Sequence, residues 1–224
     1  HIPKSLGTSV NAHLLQWSNN GRAHCQSIMR VKRKMRRAAN KSDWLSGHVN
    51  IGRAQRVIQS HTDRDIRFFT CIRDPVDQIR SHYNWVLSLA ERGAYDTSPE
   101  RIRKIHEALI SSDNNCPDVV IRNLRDHAGL FLNFQSRVAM LNWGKTVNAR
   151  TIKRSLGRYE MIGTEETVGR VIERITGETL EVSRLNTNRY RFDAEIFESP
   201  RVQKFLEQEH TADFLLYEAA LKAW

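Results

Sequence analysis

At 224 residues the chain has the length of one domain, or of one large domain with a small lobe, and can bury a core without disulfides. With 40% hydrophobic and 27% charged residues, 11 Gly and 5 Pro, it is not collagen-like, low-complexity or wholly disordered, and no apolar run reaches the roughly 18 residues of a transmembrane helix. Lys and Arg number 35 against 25 Asp and Glu, and residues 1–42 hold nine of the basic residues and no acid. An anionic partner is therefore expected: nucleic acid, acidic glycan, phosphorylated cofactor or membrane surface.

Apolar β-rich runs alternate with helical patterns, which predicts an α/β fold with a parallel sheet. A helix is expected from about Thr8 to Trp17, with Val10, Leu14 and Trp17 inward. The basic run from Arg30 to Lys41 reads as a solvated helix face or a mobile loop. An acceptor-side patch for an anionic glycan and a nucleic-acid contact are the alternatives. Asp43 to Val49 is a short strand reaching a loop. Arg67 to Ile72 is a buried strand that ends at Arg73-Asp74-Pro75. Asp74 is a good N-cap, Pro75 a good first helical residue, and Asp77 suits the first turn. The helix that follows carries Val76, Ile79, Tyr83, Val86, Leu87 and Ala90 on one face, and Gly93 is expected to end it.

Further helices are predicted from Ser98-Pro99 to Ile110 and from Leu130 to Leu141. Tyr159 to Gly163 is a second buried strand, and Glu165 to Ile175 a helix closed by Gly177. Residues 183–194 read as a polar loop, and helices near 199–208 and 211–222 finish the chain. Cys25, Cys71 and Cys116 are odd in number and far apart. They fit neither a disulfide framework nor zinc-ligand spacing, so a reducing compartment is the simpler expectation.

Two motifs carry chemistry. The first, His1-Ile2-Pro3-Lys4-Ser5-Leu6-Gly7-Thr8-Ser9, is a turn feeding a helix. Gly7 permits close approach or a positive φ, Thr8 and Ser9 are able to cap the helix, and its N-terminal amides suit an anion beside Lys4. The Lys precedes the Gly, so this is not the Walker pattern; an ordinary turn with a surface Lys is the alternative. The second is Arg73-Asp74-Pro75 with Ser81 eight residues after the Arg. Arg73 ends a strand, where open α/β sheets bind ligands, and Ser81 lies two turns into the helix. Both are suited to one phosphate; alternatively, Arg73 pairs with Asp77 and Ser81 is a plain surface residue.

Together, in this order, the motifs resemble those of the PAPS-dependent sulfotransferases, where PAPS is 3′-phosphoadenosine 5′-phosphosulfate. The opening is similar to the family's 5′-phosphosulfate loop, with Ser5 and Leu6 departing from the usual HIPKTAGTS. Phe69 to Pro75, continuing to Ser81-His82-Tyr83, resembles its 3′-phosphate element. Asn133-Phe134-Gln135-Ser136-Arg137 with Leu141, Tyr159 to Glu166, and Asp213 to Glu218 resemble later elements of the carbohydrate branch. Ser46-Gly47-His48-Val49 resembles the G-H-V of heparan and dermatan uronyl 2-O-sulfotransferases, with Ser46 where those enzymes often carry a second His.

The resemblance implies a P-loop-NTPase-like central parallel sheet flanked by helices, in one domain spanning residues 1–224. It also implies a central strand just ahead of the loop, so either a segment precedes His1 or another run takes that place. Lys4, Ser5, Gly7, Thr8 and Ser9 would bind the 5′-phosphosulfate, and Arg73 with Ser81 the 3′-phosphate. Lys4 and His48 would be catalytic, His48 as the base; a satisfied loop histidine is the alternative, with Glu165 or Glu166 as substitute base. PAPS is the co-substrate, no metal is required, and the acceptor is a carbohydrate or other hydroxyl compound, anionic on one reading. No nucleic acid or membrane segment is expected. The compact size favours a bacterial cytoplasmic enzyme, with the Golgi lumen as alternative if an anchor precedes. The rival readings are a basic nucleic-acid-binding protein, a P-loop kinase or NTPase, and a non-catalytic nucleotide binder.

Overall fold

The computed structural model describes residues 2–141, 147–179 and 189–224. In chain order these form α1 (Gly7–Trp17), β1 (Gly21–Arg22), α2 (Lys32–Lys41), β2 (Trp44–Leu45), α3 (Ile51–Gln59), β3 (Phe69–Cys71) and α4 (Pro75–Leu87). Then follow α5 (Glu100–Ile110), α6 (Pro117–Asp126), α7 (Ala128–Phe131), α8 (Phe134–Ala139), α9 (Ala149–Leu156), β4 (Met161–Gly163), α10 (Val168–Thr176), α11 (Pro200–Glu209) and α12 (Thr211–Ala223). The protein is mixed α/β and mostly helical. It divides into two compact units: His1–Arg73, Gln135–Asn186 and Leu215–Trp224 form the first, and Asp74–Phe134 with Thr187–Phe214 the second.

The first unit holds two small parallel sheets. β1 pairs with β2, and β3 pairs with β4 in the register Phe69↔Met161, Thr70↔Ile162, Cys71↔Gly163. Two apolar clusters pack on them. One gathers Cys25, Ile28, Met29, Met35, Ala38, Ala39 and Ile58, and the other Cys71, Met161, Val168, Val171 and Ile172. The predicted single sheet is thus two half-sheets, and among the described residues no strand joins them. A cavity of about 370 Å³ borders both, lined by the run Asp43 to Gly47 on one side and Ile66 to Cys71 on the other. α1 contributes Val10, Leu14 and Trp17 to its wall.

The second unit is helical. Ile79, Tyr83 and Val86 of α4 are fully buried among Leu109, Val120, Leu124, Phe131 and Phe197. The Tyr83 hydroxyl donates to Asn114 and accepts from Asn123, which satisfies a polar group that burial would otherwise penalise. α4 begins as its sequence dictates: the Asp74 carboxylate accepts from the Val76 and Asp77 amides at 2.9 and 3.1 Å, and Pro75 takes the first position.

Three element boundaries differ from expectation. α4 stops at Leu87, before Gly93; the Ser88 hydroxyl turns back to the Asn84 carbonyl, and Gly93 (φ 62) lies in the turns beyond. The expected helix from Leu130 to Leu141 is broken between α7 and α8 by Asn133, whose φ is 52°. Its side chain instead caps α12, accepting from Ala212 and Asp213, while its own N–H donates to His210 Nδ1 at 2.7 Å. The helix expected from Glu165 begins at Val168 and closes at Gly177, φ 80, as predicted. Of the loop at 183–194, residues 183–188 lie outside the described residues. α3, α6 and α9 were not anticipated as separate helices, and the run from Arg30 to Lys41 takes the helical form of its two expected ones in α2. Among the described residues no helix is long and apolar enough to cross a membrane.

Asn133→Ala loses a helix cap and keeps an unfavourable left-handed residue, so urea unfolding should show a loss of about 2 kcal/mol. Asn133→Gly relieves the backbone strain and should lose about half as much.

Candidate functional site

The first motif folds as a tight turn into α1. Lys4 and Leu6 adopt positive φ values of 65° and 61°, while Gly7 does not. Leu6 occupies the N-cap position without a side-chain cap bond, so Thr8 and Ser9 lie inside the first turn rather than capping it. Two left-handed residues aim the chain so that the helix starts abruptly. Val10 N–H makes the bond back to the Leu6 carbonyl, 3.1 Å, and the amides of Gly7, Thr8 and Ser9 precede it. Those N-terminal amides carry the positive end of the helix dipole, with the half-buried Lys4 three residues ahead of Gly7. Ser5 is fully buried, Ser9 buried, and Thr8 exposed.

Arg73 follows β3, as predicted. It pairs with Glu165, Nε to Oε1 3.0 Å, while Asp77 pairs with Arg80. The register explains the pairing with Glu165. Cys71 lies opposite Gly163 and Ile72 N–H donates to the Gly163 carbonyl, so two residues further on Arg73 and Glu165 are neighbours at the ends of adjacent strands.

Gln135, near the start of α8, joins the two motifs. Its Oε1 accepts from the Ser5 hydroxyl at 3.1 Å and from the Arg73 N–H at 2.8 Å, and its Nε2 donates to the Arg73 carbonyl at 2.8 Å. The side chain is 1% exposed. Sequence reasoning noted Gln135 only inside a resemblance and gave it no role. The residue type was the available signal: a Gln buried in a helix has to satisfy both ends of its amide.

His48 sits in the turn between β2 and α3. Its N–H donates to Gln26 Oε1 at 3.2 Å, and the Cys25 N–H donates to the Ser46 carbonyl at 2.8 Å, so this turn is strapped to the segment carrying His24. A side chain at Gly47 would collide with Gln26 and Cys25, so the close approach requires glycine there. The His24 and His48 rings are 5.8 Å apart. His48 is exposed as a residue, yet its pKa is lowered to about 4, by desolvation first and then by nearby positive charge, the His24 ring included. At neutral pH the imidazole is therefore unprotonated and chemically able to accept a proton.

Asn50 fixes the other side of the turn. It caps α3 through Oδ1, and its Nδ2 donates to the Arg137 and Met140 carbonyls of the α8 segment. Ser5 and Gly7 of the first loop and Ser46 and Gly47 of the His48 turn line the same cavity. Lys4, Ser5, Gly7, Thr8, Ser9, His48 and Arg73 all belong to the first unit; Ser81, half-buried on α4, belongs to the second. Among the described residues no three His, Cys, Asp or Glu side chains cluster as a metal site needs.

α2 turns Met35, Ala38 and Ala39 inward and leaves Lys32, Arg33, Lys34, Arg36, Arg37 and Lys41 exposed. The basic run is thus an ordered amphipathic helix on the same apolar cluster as Cys25 and Met29. No protein-family model matches the chain, and comparison with curated proteins and with solved structures gave no match either.

Gln135→Leu keeps the side chain's approximate size but strips Ser5 and both backbone groups of Arg73 of their partners. Chemical denaturation should register a loss of about 3 kcal/mol or more; a loss under 1 kcal/mol would show the bridge to be dispensable. NMR titration of His48 should place its midpoint near pH 4, well below the ordinary 6.5. Because the unfolded chain binds that proton first, the contribution to stability is complete above about pH 6.5 and is lost as pH falls towards 4. His24→Ala removes one of the causes and should move the midpoint up.

Proposed function

We propose that the chain is a PAPS-dependent sulfotransferase, with the P-loop-like fold of that family, transferring a sulfuryl group to a hydroxyl of a carbohydrate or glycan-like acceptor. The observation that carries the reading is the Gln135 bridge, which ties Ser5 of the first motif to Arg73 of the second. Two sequence elements 68 residues apart, each suited to phosphate, are held by one buried amide. A donor with phosphates at both ends of a nucleoside requires such a pairing.

On this reading the amides of Gly7, Thr8 and Ser9, the Ser5 loop and the Lys4 ammonium bind the 5′-phosphosulfate. Arg73 binds the 3′-phosphate, and the resemblance adds Ser81 to it. During transfer the bond from sulfur to the donor's phosphate oxygen breaks and a bond from sulfur to the acceptor oxygen forms. The acceptor's proton passes to His48, and the charge left on the phosphate oxygen is offset by Lys4. Positioning and charge stabilisation do the work, as in phosphoryl transfer. A pKa near 4 alone would make His48 a weak base; an anionic donor bound beside it raises the imidazole's basicity towards the useful range.

A second reading, a basic protein that binds nucleic acid, is favoured by the six exposed cations of α2. Adenosine 3′,5′-bisphosphate separates the two. A sulfotransferase is stabilised against heat by micromolar amounts of it and little by AMP, whereas a nucleic-acid binder shows no such preference. Mg-ATP binding in its place would favour a kinase. With labelled donor and a glycan panel, Lys4→Ala and His48→Ala should each lower transfer by at least about 100-fold. Only Lys4→Ala should also weaken binding of the bisphosphate in calorimetry. Unchanged turnover in His48→Ala would remove it as the base.

A further inference from the structure

Glu165 is bound to the one arginine that the donor reading needs for its 3′-phosphate. The pairing is built into the backbone. β3 and β4 run in parallel with Cys71 opposite Gly163, so Arg73 and Glu165 emerge together from the two strand ends. Glu165 is itself held in a short turn. The Thr164 N–H donates to the Thr167 hydroxyl at 2.9 Å, and the Thr167 N–H donates back to the Thr164 carbonyl at 3.2 Å. Arg73 is fixed from behind by Gln135 through both of its backbone groups. Each of the two charged side chains is 21% exposed. The pair is therefore shielded from solvent over most of its surface, and screening weakens it less than it would an open surface pair.

We infer that Glu165 is a positioning residue that limits how tightly the 3′-phosphate is held and so speeds release of the nucleotide product. The inference rests on the donor reading above. Glu165 acts on Arg73 through charge. Its carboxylate lies 3.0 Å from Nε as an ion pair. The carboxylate therefore stands beside the position of an incoming dianion and offsets part of the guanidinium's charge, which disfavours binding. Glu165→Gln discards that charge and keeps the side chain's size.

A tight product complex slows turnover in enzymes limited by release. A carboxylate at this place shortens the life of that complex without touching the sulfuryl group. It also acts on one end of the nucleotide only. AMP, which lacks the 3′-phosphate, should not feel it.

The experiment is calorimetric titration of the full chain with adenosine 3′,5′-bisphosphate and, in parallel, with AMP. Glu165→Gln should bind the bisphosphate roughly tenfold more tightly than the unaltered chain, with AMP affinity unchanged. In steady-state transfer the same variant should lower both kcat and KM. Glu165→Ala, which discards the charge with the rest of the side chain, should show a gain of the same order with the same indifference to AMP. Equal or weaker bisphosphate binding by both variants overturns the inference while leaving the donor reading intact. A parallel change for AMP and bisphosphate also overturns it, because that is the signature of a purely structural ion pair. If the unaltered chain prefers neither nucleotide, the donor reading falls and this inference with it.

Discussion

The candidate site depends on one buried amide. Gln135 makes hydrogen bonds in a place that water does not reach to two loops that the chain separates by more than sixty residues. Neither loop is held by regular structure at that point: the first contains two left-handed residues, and the second is the exit from a three-residue strand. A net hydrogen bond contributes only about 1 kcal/mol, but leaving the same groups buried without partners costs more. That asymmetry makes Gln135 a constraint rather than a decoration, because the loops have to meet it or expose their polar atoms to an apolar interior.

The same short helix holds the third loop. Two carbonyls of the α8 segment, Arg137 and Met140, accept from Asn50, two residues beyond His48. The Tyr159 hydroxyl reaches the Ala139 carbonyl from the start of the run into β4. α8 is six residues long and could not stand alone. Its value lies in the groups at its edges, which bring the residues after Lys4, before Asp74 and after His48 under one set of distances. A change in α8 thus acts on all three loops at once, whereas a change in any single loop leaves the other two fixed.

Legibility followed the range of the interactions. Local rules read well: the Asp74 cap with Pro75, the Gly177 stop, and the strands at Phe69 and Met161 all follow from neighbours within four residues. Long-range choices did not. Nothing near Asn133 says that its amide will cap a helix seventy-eight residues away, so a continuous helix was expected where α7 and α8 break. Nothing in the run after Arg73 says that Glu165 is its partner, because strand register is set by the whole packed unit. The sheet was misjudged for a related reason. β2 and β3 both border the cavity, and joining two strand edges takes backbone N–H and C=O groups from a segment between them. No run among the described residues supplies them, so the predicted sheet remains as two halves.

The charge excess also divides once the structure is considered. α2 carries six exposed cations, and among the described residues none of the six enters an ion pair. Charges of that kind act at a distance and fade with added salt over about 8–10 Å. Arg73 lies outside the basic block, is mostly buried, and is engaged by a carboxylate and an amide at once. Such a charge acts at contact and responds to geometry more than to ionic strength. Any polyanion drawn to α2 would therefore bind with a steep salt dependence, while a nucleotide held at Arg73 and α1 would show a shallow one. The two kinds of binding differ in physics even where both ligands are phosphates, so salt dependence reports which face of the first unit a given anion occupies.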